Sequence, residues 1–437
     1  MTIDQLYKLF INYPSICIDS RRIEQNCLFF ALKGDNFNGN EFAINALKSG
    51  AQYAIVDDTN LKNEEKCIYV DDVLKTLQNL ATYHRQQLKI PIIAITGTNG
   101  KTTTKELIAI VLSIKYKTIA TKGNLNNHIG VPLTLLSLKN ETEIGVIEMG
   151  ANHMGEIEML CGIADPDFGI ITNIGKAHLE GFGSFQGVIQ AKTEMYKYIN
   201  SKKGTIFYNA DNSLLVDEIE KLNCKKMDYG TSANHVCRGR LLDSEHFLKF
   251  ETEIKNSKGE IIKKIVQTNL VGIYNLENAL AAVTIGNFFD IPINDIEEAI
   301  RNYIPSNNRS QFLKTEKNEL IIDYYNANPT SMEAAIKNFH SLHLTLNDKT
   351  LILGEMLELG NYSIDEHSKI ISLINELGFK NVLLVGTEFN LPNSKNFKLF
   401  DNSIELAEFI IKNKISGNQI LIKGSRGVKL EKILEYL

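Results

Sequence analysis

A lysine and three threonines open a helix directly after a glycine-bearing turn, in Gly97-Thr98-Asn99-Gly100-Lys101-Thr102-Thr103-Thr104, and an apolar strand, Ile92-Ile93-Ala94-Ile95-Thr96, runs into them. Phosphate needs such a place: bare backbone N–H groups, a helix N-terminus and a lysine. Glycines let the backbone curl round the anion without a Cβ in the way. Lys101 can reach the β- and γ-phosphates of a nucleotide, and the Thr102 hydroxyl can ligate Mg²⁺. The general phosphate loop carries a glycine where Ile95 stands, so this is a shortened G-x-x-G-K-T form that points away from ordinary GTPases. The bland alternative is a strand–turn–helix with an incidental Gly-Lys-Thr.

Other candidates lie further along. Glu148 ends an apolar run at 144–149, where a carboxylate can hold a hard cation through oxygen or can be a solvated loop acid. His178 follows the apolar segment 168–173 across a short turn, and alone it reads more readily as a structural hydrogen-bonder than as a ligand. Lys192, in Gln190-Ala191-Lys192-Thr193-Glu194, reads by itself as a solvated charge on a helix. Asn275 and Asn278 lie three apart at a helix start and share a face, with capping by Asn275 a compatible role. Lys423, Ser425 and Arg426 follow a strand at 419–422, where open α/β sheets place ligands, although an ordinary basic loop would look the same.

The elements that must position these groups alternate. A loop at 34–39, a short helix at 41–48 and a buried strand at 53–56 precede a helical repeat at 71–88, and Pro91 marks a boundary. From residue 92 the order is strand–loop–helix: 92–96 then 101–113, 144–149, 168–173 then 185–199, and 205–209 then 212–222. Period-two segments between 236 and 270 around Asn256-Ser257-Lys258-Gly259 predict a β-hairpin, and helices follow at 275–289 and 294–303. After Pro305 the alternation restarts, with strands at 320–323, 350–353, 381–385 and 419–422 and helices at 330–339, 364–377 and 403–411. Strands alternating with helices imply mainly parallel sheets. The expected fold is three α/β domains in series: a small N-terminal domain (1–88), a central P-loop parallel-sheet ATPase domain (89–306) and a C-terminal Rossmann-like domain (307–437).

The bulk properties exclude several classes. The 437 residues are 43% hydrophobic and 23% charged, ordinary for a globular protein, and the net charge of −5 gives no sign of nucleic-acid binding. The N-terminus lacks the charge-then-apolar order of a signal peptide, and no stretch approaches about 18 uninterrupted apolar residues. Six scattered cysteines without a C-x-x-C pair argue against zinc or a disulfide framework and fit a reducing compartment, so the expectation is a cytoplasmic protein without a membrane span.

Several of these segments resemble the Mur ligase family, the amide-forming enzymes of peptidoglycan synthesis. The phosphate loop does so, as do Gly123-Asn124-Leu125-Asn126-Asn127 with Gly130-Val131-Pro132, and Glu148-Met149-Gly150-Ala151-Asn152-His153-Met154-Gly155. So do Ala177-His178-Leu179-Glu180-Gly181-Phe182-Gly183-Ser184, Asp323-Tyr324-Tyr325-Asn326-Ala327-Asn328-Pro329, and Lys423-Gly424-Ser425-Arg426. The agreement spans nearly the whole chain. Members that add the third peptide residue typically carry Asp-Asn-Pro-Arg in the last domain; its absence favours the branch that adds D-alanyl-D-alanine.

The resemblance implies an ATP- and Mg²⁺-dependent ligase, a monomer, joining D-alanyl-D-alanine to UDP-N-acetylmuramoyl-tripeptide through an acyl phosphate. It makes Gly97, Thr98, Asn99, Gly100, Lys101, Thr102 and Thr103 the phosphate cradle, and Asn275 and Asn278 adenine-side contacts. Arg309 would reach the γ-phosphate and Asp323 the ribose. Thr102, Glu148, His178 and a carbamylated Lys192 become metal ligands or their support, and with Lys101 and Arg309 the last three form the catalytic set. Ser20 and Arg21, with the segment 34–40, would hold the UDP end; the family commonly has histidine where Asn40 stands. Asn126, Asn127, Asn326 and Asn328 would line the acceptor path, and Lys423, Ser425 and Arg426 would hold the dipeptide carboxylate. Alternatives are a ligase adding a single amino acid, a folylpolyglutamate synthase-like ligase, and a nucleotide-gated binding protein.

Overall fold

The computed structural model describes residues 1–437 except 233–234, 243–245, 256–258 and 343–344. Strand Ile92–Thr96 is the pivot of a nine-stranded sheet. On one side it pairs in parallel with Ile144–Glu148, which pairs in turn with Thr118–Ala120. On the other it pairs with Phe168–Ile171, followed outward by Thr205–Asn209 and Lys225–Gly230, all parallel. From this strand the chain passes to the edge strand Thr118–Ala120, returns to Ile144–Glu148 and then crosses to Phe168–Ile171 on the other side, so a topological switch point lies at the carboxyl end of Ile92–Thr96, where such sheets bind ligands.

Both faces of the sheet are covered, which is why these strands read as unbroken apolar runs. Ile92 and Ala94 face one core, with Leu160, Ile171 and Met195. Ile93 and Ile95 face the other, with Leu107, Val146 and Ala279, as the period of two requires.

The far edge differs from the expected hairpin. Cys237–Leu242, Phe247–Lys255 and Ile261–Val271 form a three-stranded antiparallel ribbon continuous with the main sheet. Of its expected turn, Asn256, Ser257 and Lys258 lie outside the described residues.

The first unit is a four-stranded parallel sheet of Ile16–Cys17, Leu28–Phe30, Tyr53–Val56 and Cys67–Tyr69. A helix at Ile3–Asn12, opened by a Thr2–Gln5 capping box and burying Leu6 and Phe10, is an element absent from the sequence expectation although its period is there. Segment 34–39 is a small hairpin, Lys33–Gly34 against Phe37–Asn38. The buried Asn40 holds its base: its amide donates to Asp57 Oδ1 at 2.7 Å and its carbonyl accepts from the Asp57 N–H at 3.1 Å. Asparagine thus fills a structural position here.

Helix Val73–Gln87 joins the first unit to the second, burying Leu77 and Leu80 in the same core as Leu135 and Leu160. Its Arg85 is buried and donates to the carbonyls of Ala164, Leu88 and Asp165 at 2.7–3.0 Å and to the Asp167 carboxylate at 2.9 Å.

The last unit is a six-stranded sheet in the order Gln311–Lys314, Glu319–Asp323, Gln419–Lys423, Lys349–Gly354, Asn381–Val385, Lys398–Phe400, parallel except at its first strand. Its register sets Asp323 beside Lys423 at the carboxyl edge. Among the described residues no helix is long and apolar enough to cross a membrane.

Replacing Arg85 by alanine strips its charge from Asp167 and takes its hydrogen bonds from the buried carbonyls of Ala164 and Leu88, while the Asp165 carbonyl keeps Lys202 as a donor. Loss of about 3–5 kcal/mol of unfolding free energy is expected, measurable by urea titration; a loss under about 1 kcal/mol would show that the joint does not depend on this side chain.

Candidate functional site

The phosphate turn is held open by the strand next to it. Thr98 N–H donates to Asn173 O at 2.9 Å, Asn99 N–H donates to Asn173 Oδ1 at 2.9 Å, and Asn173 Nδ2 returns a bond to Asn99 O at 3.1 Å. Thr172 Oγ1 also donates to Asn99 O, at 2.6 Å. At Gly100 φ is +77° and a Cβ would lie 2.5 Å from Asn278 Oδ1, so only glycine fits. The first-turn N–H groups of helix Lys101–Leu112 then face outward for an anion.

Lys101 folds back on this turn, donating to Gly97 O at 2.7 Å and Thr98 O at 3.0 Å. Removal from bulk water pushes its pKa down to about 8; Glu148 opposes that shift and Arg309 adds to it.

Glu148 ends its strand opposite Ile95 and is 1% exposed. Its Oε1 accepts from Thr102 Oγ1 at 3.3 Å and from Asn126 Nδ2 at 2.9 Å. Its buried Oε2 has no hydrogen-bond partner and lies 3.6 Å from the Nζ of the buried Lys105. A hydroxyl and a carboxylate with one oxygen free are hard-oxygen donors suited to Mg²⁺. Among the described residues no cluster of three or more His, Cys, Asp or Glu side chains forms a ready ligand set.

His178 sits at φ +50° and pairs through Nδ1 with the carboxylate of Glu358, itself at φ +64°, across the gap between the second and third units. Lys192 is 3% exposed, with its Nζ 5.5 Å from the centre of the Phe182 ring. Burial pushes its pKa down to about 7, and the like charge of Lys101 pushes the same way, against Glu156 and Glu194.

The third unit closes the other wall of a cleft of about 740 Å³. Asn328 Nδ2 donates to Asn99 Oδ1 at 2.7 Å, while its own Oδ1 caps helix Pro329–Ser341 through Ser331 N–H at 2.9 Å. Lys176 reaches Glu366 at 3.1 Å. Asp323 accepts from Lys423 Nζ at 2.6 Å and from Ser310 N–H at 3.3 Å. The buried Lys423 is therefore already paired, and Ser425 Oγ accepts from Leu357 N–H at 3.0 Å. Arg426 is exposed, with its guanidinium 5.5 Å from the Tyr325 ring centre.

Thr98, Asn99, Gly100, Lys101 and Thr103 line this cleft. Asn126, Asn127, Glu148, His178, Asn275 and Asn278 line it too. From the third unit come Arg309, Asp323, Asn326 and Lys423. Gly97, Thr102, Lys192, Asn328, Ser425 and Arg426 are not among its lining residues. Ser20 and Arg21 belong to the first unit; Arg21 makes a two-bond fork to Asp19 at 2.8 Å and remains largely exposed. Asn275 does not cap its helix: its Nδ2 donates to Val271 O at 2.8 Å and its Oδ1 accepts from Asn278 at 2.8 Å.

Residues not singled out from sequence also belong here. Lys105 faces Glu148, Thr172 and Asn173 fasten the turn, and Asn212, Tyr274, Glu277, Tyr325 and Glu358 line the cleft. Thr172-Asn173 carried a signal, as a polar pair ending an apolar strand, and Tyr325 lies inside the resembling segment that opens at Asp323.

Three family models cover the chain: the Mur ligase family catalytic domain at 12–94, the Mur ligase middle domain at 95–286 and the Mur ligase glutamate ligase domain at 308–426. The chain is 35% identical to the UDP-N-acetylmuramoyl-tripeptide–D-alanyl-D-alanine ligase of Bacillus subtilis, over 97% of this chain and 92% of that one. It is 32% identical to the enzyme of the same name from Escherichia coli, over 98% and 94%. A solved structure of the MurF ligase of Thermotoga maritima in complex with ADP superposes with a TM-score of 0.84 at 25% identity, over 97% of this chain and 96% of that chain.

Gly100→Ala would force an L-residue into the left-handed region against Asn278. ADP affinity should fall by roughly tenfold or more with the circular dichroism unchanged, and calorimetric titration giving wild-type affinity would refute this reading of the turn.

Proposed function

This chain belongs to the Mur ligase family, and we propose that it joins D-alanyl-D-alanine to UDP-N-acetylmuramoyl-tripeptide with cleavage of ATP, in peptidoglycan precursor synthesis. The observation that carries the proposal is the convergence of Lys101, Glu148, Arg309 and Lys423, drawn from two units, on one cleft. On this reading residues 1–88 take the UDP end, 89–306 the ATP and 307–437 the dipeptide. The enzyme works as a monomer in the cytoplasm, where ATP is supplied.

The tripeptide carboxylate attacks the γ-phosphorus, the bond to the bridging oxygen breaks, and ADP leaves an acyl phosphate. The dipeptide amine then attacks the acyl carbon; inorganic phosphate departs, and the amine's proton passes to solvent or phosphate. Mg²⁺, bound by Thr102 and Glu148, would neutralise charge gathering on the phosphates. Lys101 lies close enough to trade its two loop carbonyls for phosphate oxygens, and Arg309 supplies a second cation from the facing wall. Fixed cations and alignment supply most of what phosphoryl transfer requires. His178, now paired with Glu358, would turn to a second metal ion.

Lys192 would carry a carbamate. Its neutral Nζ attacks CO₂, an N–C bond forms and one proton is released, turning an ammonium into an anion. An ordinary lysine must give up roughly 4–5 kcal/mol to be neutral at pH 7. Burial, with the like charge of Lys101, lowers the pKa to about 7 and so offsets much of that cost.

Phosphate release from ATP should require both the UDP-linked tripeptide and D-alanyl-D-alanine, with a product two alanines heavier by mass. Release with a single amino acid or a folate acceptor would overturn the substrate assignment. Separately, ¹³C-bicarbonate should give a carbamate resonance in the wild type and none in Lys192→Arg, whose turnover should fall at least about a hundredfold, the loss of roughly 3 kcal/mol of transition-state stabilisation. An identical spectrum from both proteins would exclude the modification.

A further inference from the structure

Arg309 reaches the cleft without a carboxylate to hold it. Among the described residues it forms no ion pair, and its buried Nε has no hydrogen-bond partner. Its contact is the ring of Tyr325, whose centre lies 3.9 Å from the guanidinium carbon. A second guanidinium, that of Arg426, lies 5.5 Å from the same ring centre. The two arginines come from different parts of the third unit. Arg309 stands in the segment that enters it, between Asn308 at φ +59° and Ser310 at φ +50°. Arg426 follows strand Gln419–Lys423, the neighbour of the strand that ends at Asp323, two residues before Tyr325.

We propose that Tyr325 is a positioning residue: its ring is one platform that holds both Arg309, for the γ-phosphate, and Arg426, for the carboxylate of the incoming dipeptide. This rests on the reading given under Proposed function and extends it to a residue that touches neither reacting atom.

The physical argument is about what else could hold an arginine there. Its side chain has much rotamer freedom to lose, so an unheld Arg309 would swing. A carboxylate would fix it but would also cancel the charge the phosphate needs. Stacking engages the flat face of the guanidinium and leaves its N–H edge free for an anion. The face of the ring is negative, so it also eases the approach of two like charges to one point. Asp323 completes the arrangement by bonding the Ser310 N–H, fixing the backbone beside Arg309 while Tyr325 fixes its head. Lys423 is already paired with Asp323, which leaves Arg426 as the freer cation for a dipeptide carboxylate.

The experiment compares wild type, Tyr325→Phe and Tyr325→Leu, with Tyr325→Met as a second ringless variant should the leucine protein fail to fold. Calorimetry gives the Kd of ADP and of the β,γ-imido analogue of ATP, and phosphate release gives KM for D-alanyl-D-alanine. The ringless variants should lose affinity for the analogue relative to ADP by about threefold to thirtyfold and raise the dipeptide KM by a similar factor. Tyr325→Phe should stay within about twofold of wild type on both counts, because the ring rather than the hydroxyl acts. General damage to the site would weaken ADP and the analogue alike, so an unchanged ratio in the ringless variants overturns the proposal. An altered ratio with an unaltered dipeptide KM, or a phenylalanine variant as impaired as the leucine one, overturns it as well. Wild-type protein that releases no phosphate with the dipeptide would sink the substrate reading instead, while the nucleotide ratio would still judge the Arg309 half.

Discussion

Asn173 and the phosphate turn exchange hydrogen bonds in both directions, through side chain and backbone. The rest of the site depends on that exchange. A turn that presents N–H groups to an anion cannot bond to itself, and a short turn of small residues has no core of its own. Its shape must come from outside, and here it comes from strand Phe168–Ile171, which the sheet order sets next to Ile92–Thr96. Satisfying Thr98 and Asn99 against the scaffold leaves the helix N-terminus as the open anion-binding end. Gly97 follows the same logic: at φ +144°, a Cβ there would meet Thr172 Oγ1 at 2.0 Å, the hydroxyl that fastens Asn99.

The same economy governs the third unit. Asn328 caps a helix with its carbonyl and bonds Asn99 with its amide, so the start of helix Pro329–Ser341 is registered directly on the phosphate turn. Asp323 binds Lys423 from the neighbouring strand and the backbone beside Arg309 from the entering segment. Asn328 thus holds both its own helix and the two units together, while Asp323 ties the strands of the third unit to the segment that enters it.

What could be read from sequence follows from which interactions are local. The strands Ile92–Thr96, Thr205–Asn209 and Asn381–Val385 and the helices after them were legible, because a buried parallel strand must be an apolar run and a helix must show its period. The Gly97–Thr104 segment was legible because its chemistry is contiguous. Short elements were not: Leu28–Phe30 is only three residues, whereas the helix Ile3–Asn12 carried a signal of its own, an apolar face and a Thr2–Gln5 capping box, that packs on helix Val73–Gln87. Tertiary partnerships were hidden because they are not local. Nothing near Lys423 announces Asp323, and nothing near His178 announces Glu358. The family resemblance supplied Lys192 as a site, but only the packing shows why an ammonium there is easily neutralised.

The electrostatics of the cleft show what that packing stores. Lys101 and Lys192 are both depressed in pKa, to about 8 and about 7, chiefly by loss of water and partly by neighbouring positive charge. Lys105 is buried against Glu148, and among the described residues Arg309 forms no ion pair. Positive charge held in a site poor in water is destabilising until something negative arrives, and folding elsewhere must offset it; the long buried joint through helix Val73–Gln87 and the double-faced central sheet are where that stability comes from. On this reading an incoming triphosphate would meet cations that are already largely desolvated, with Lys101 needing only to exchange its two loop carbonyls for phosphate oxygens. On this account the charges that burial destabilises most are the groups that the proposed reaction would use.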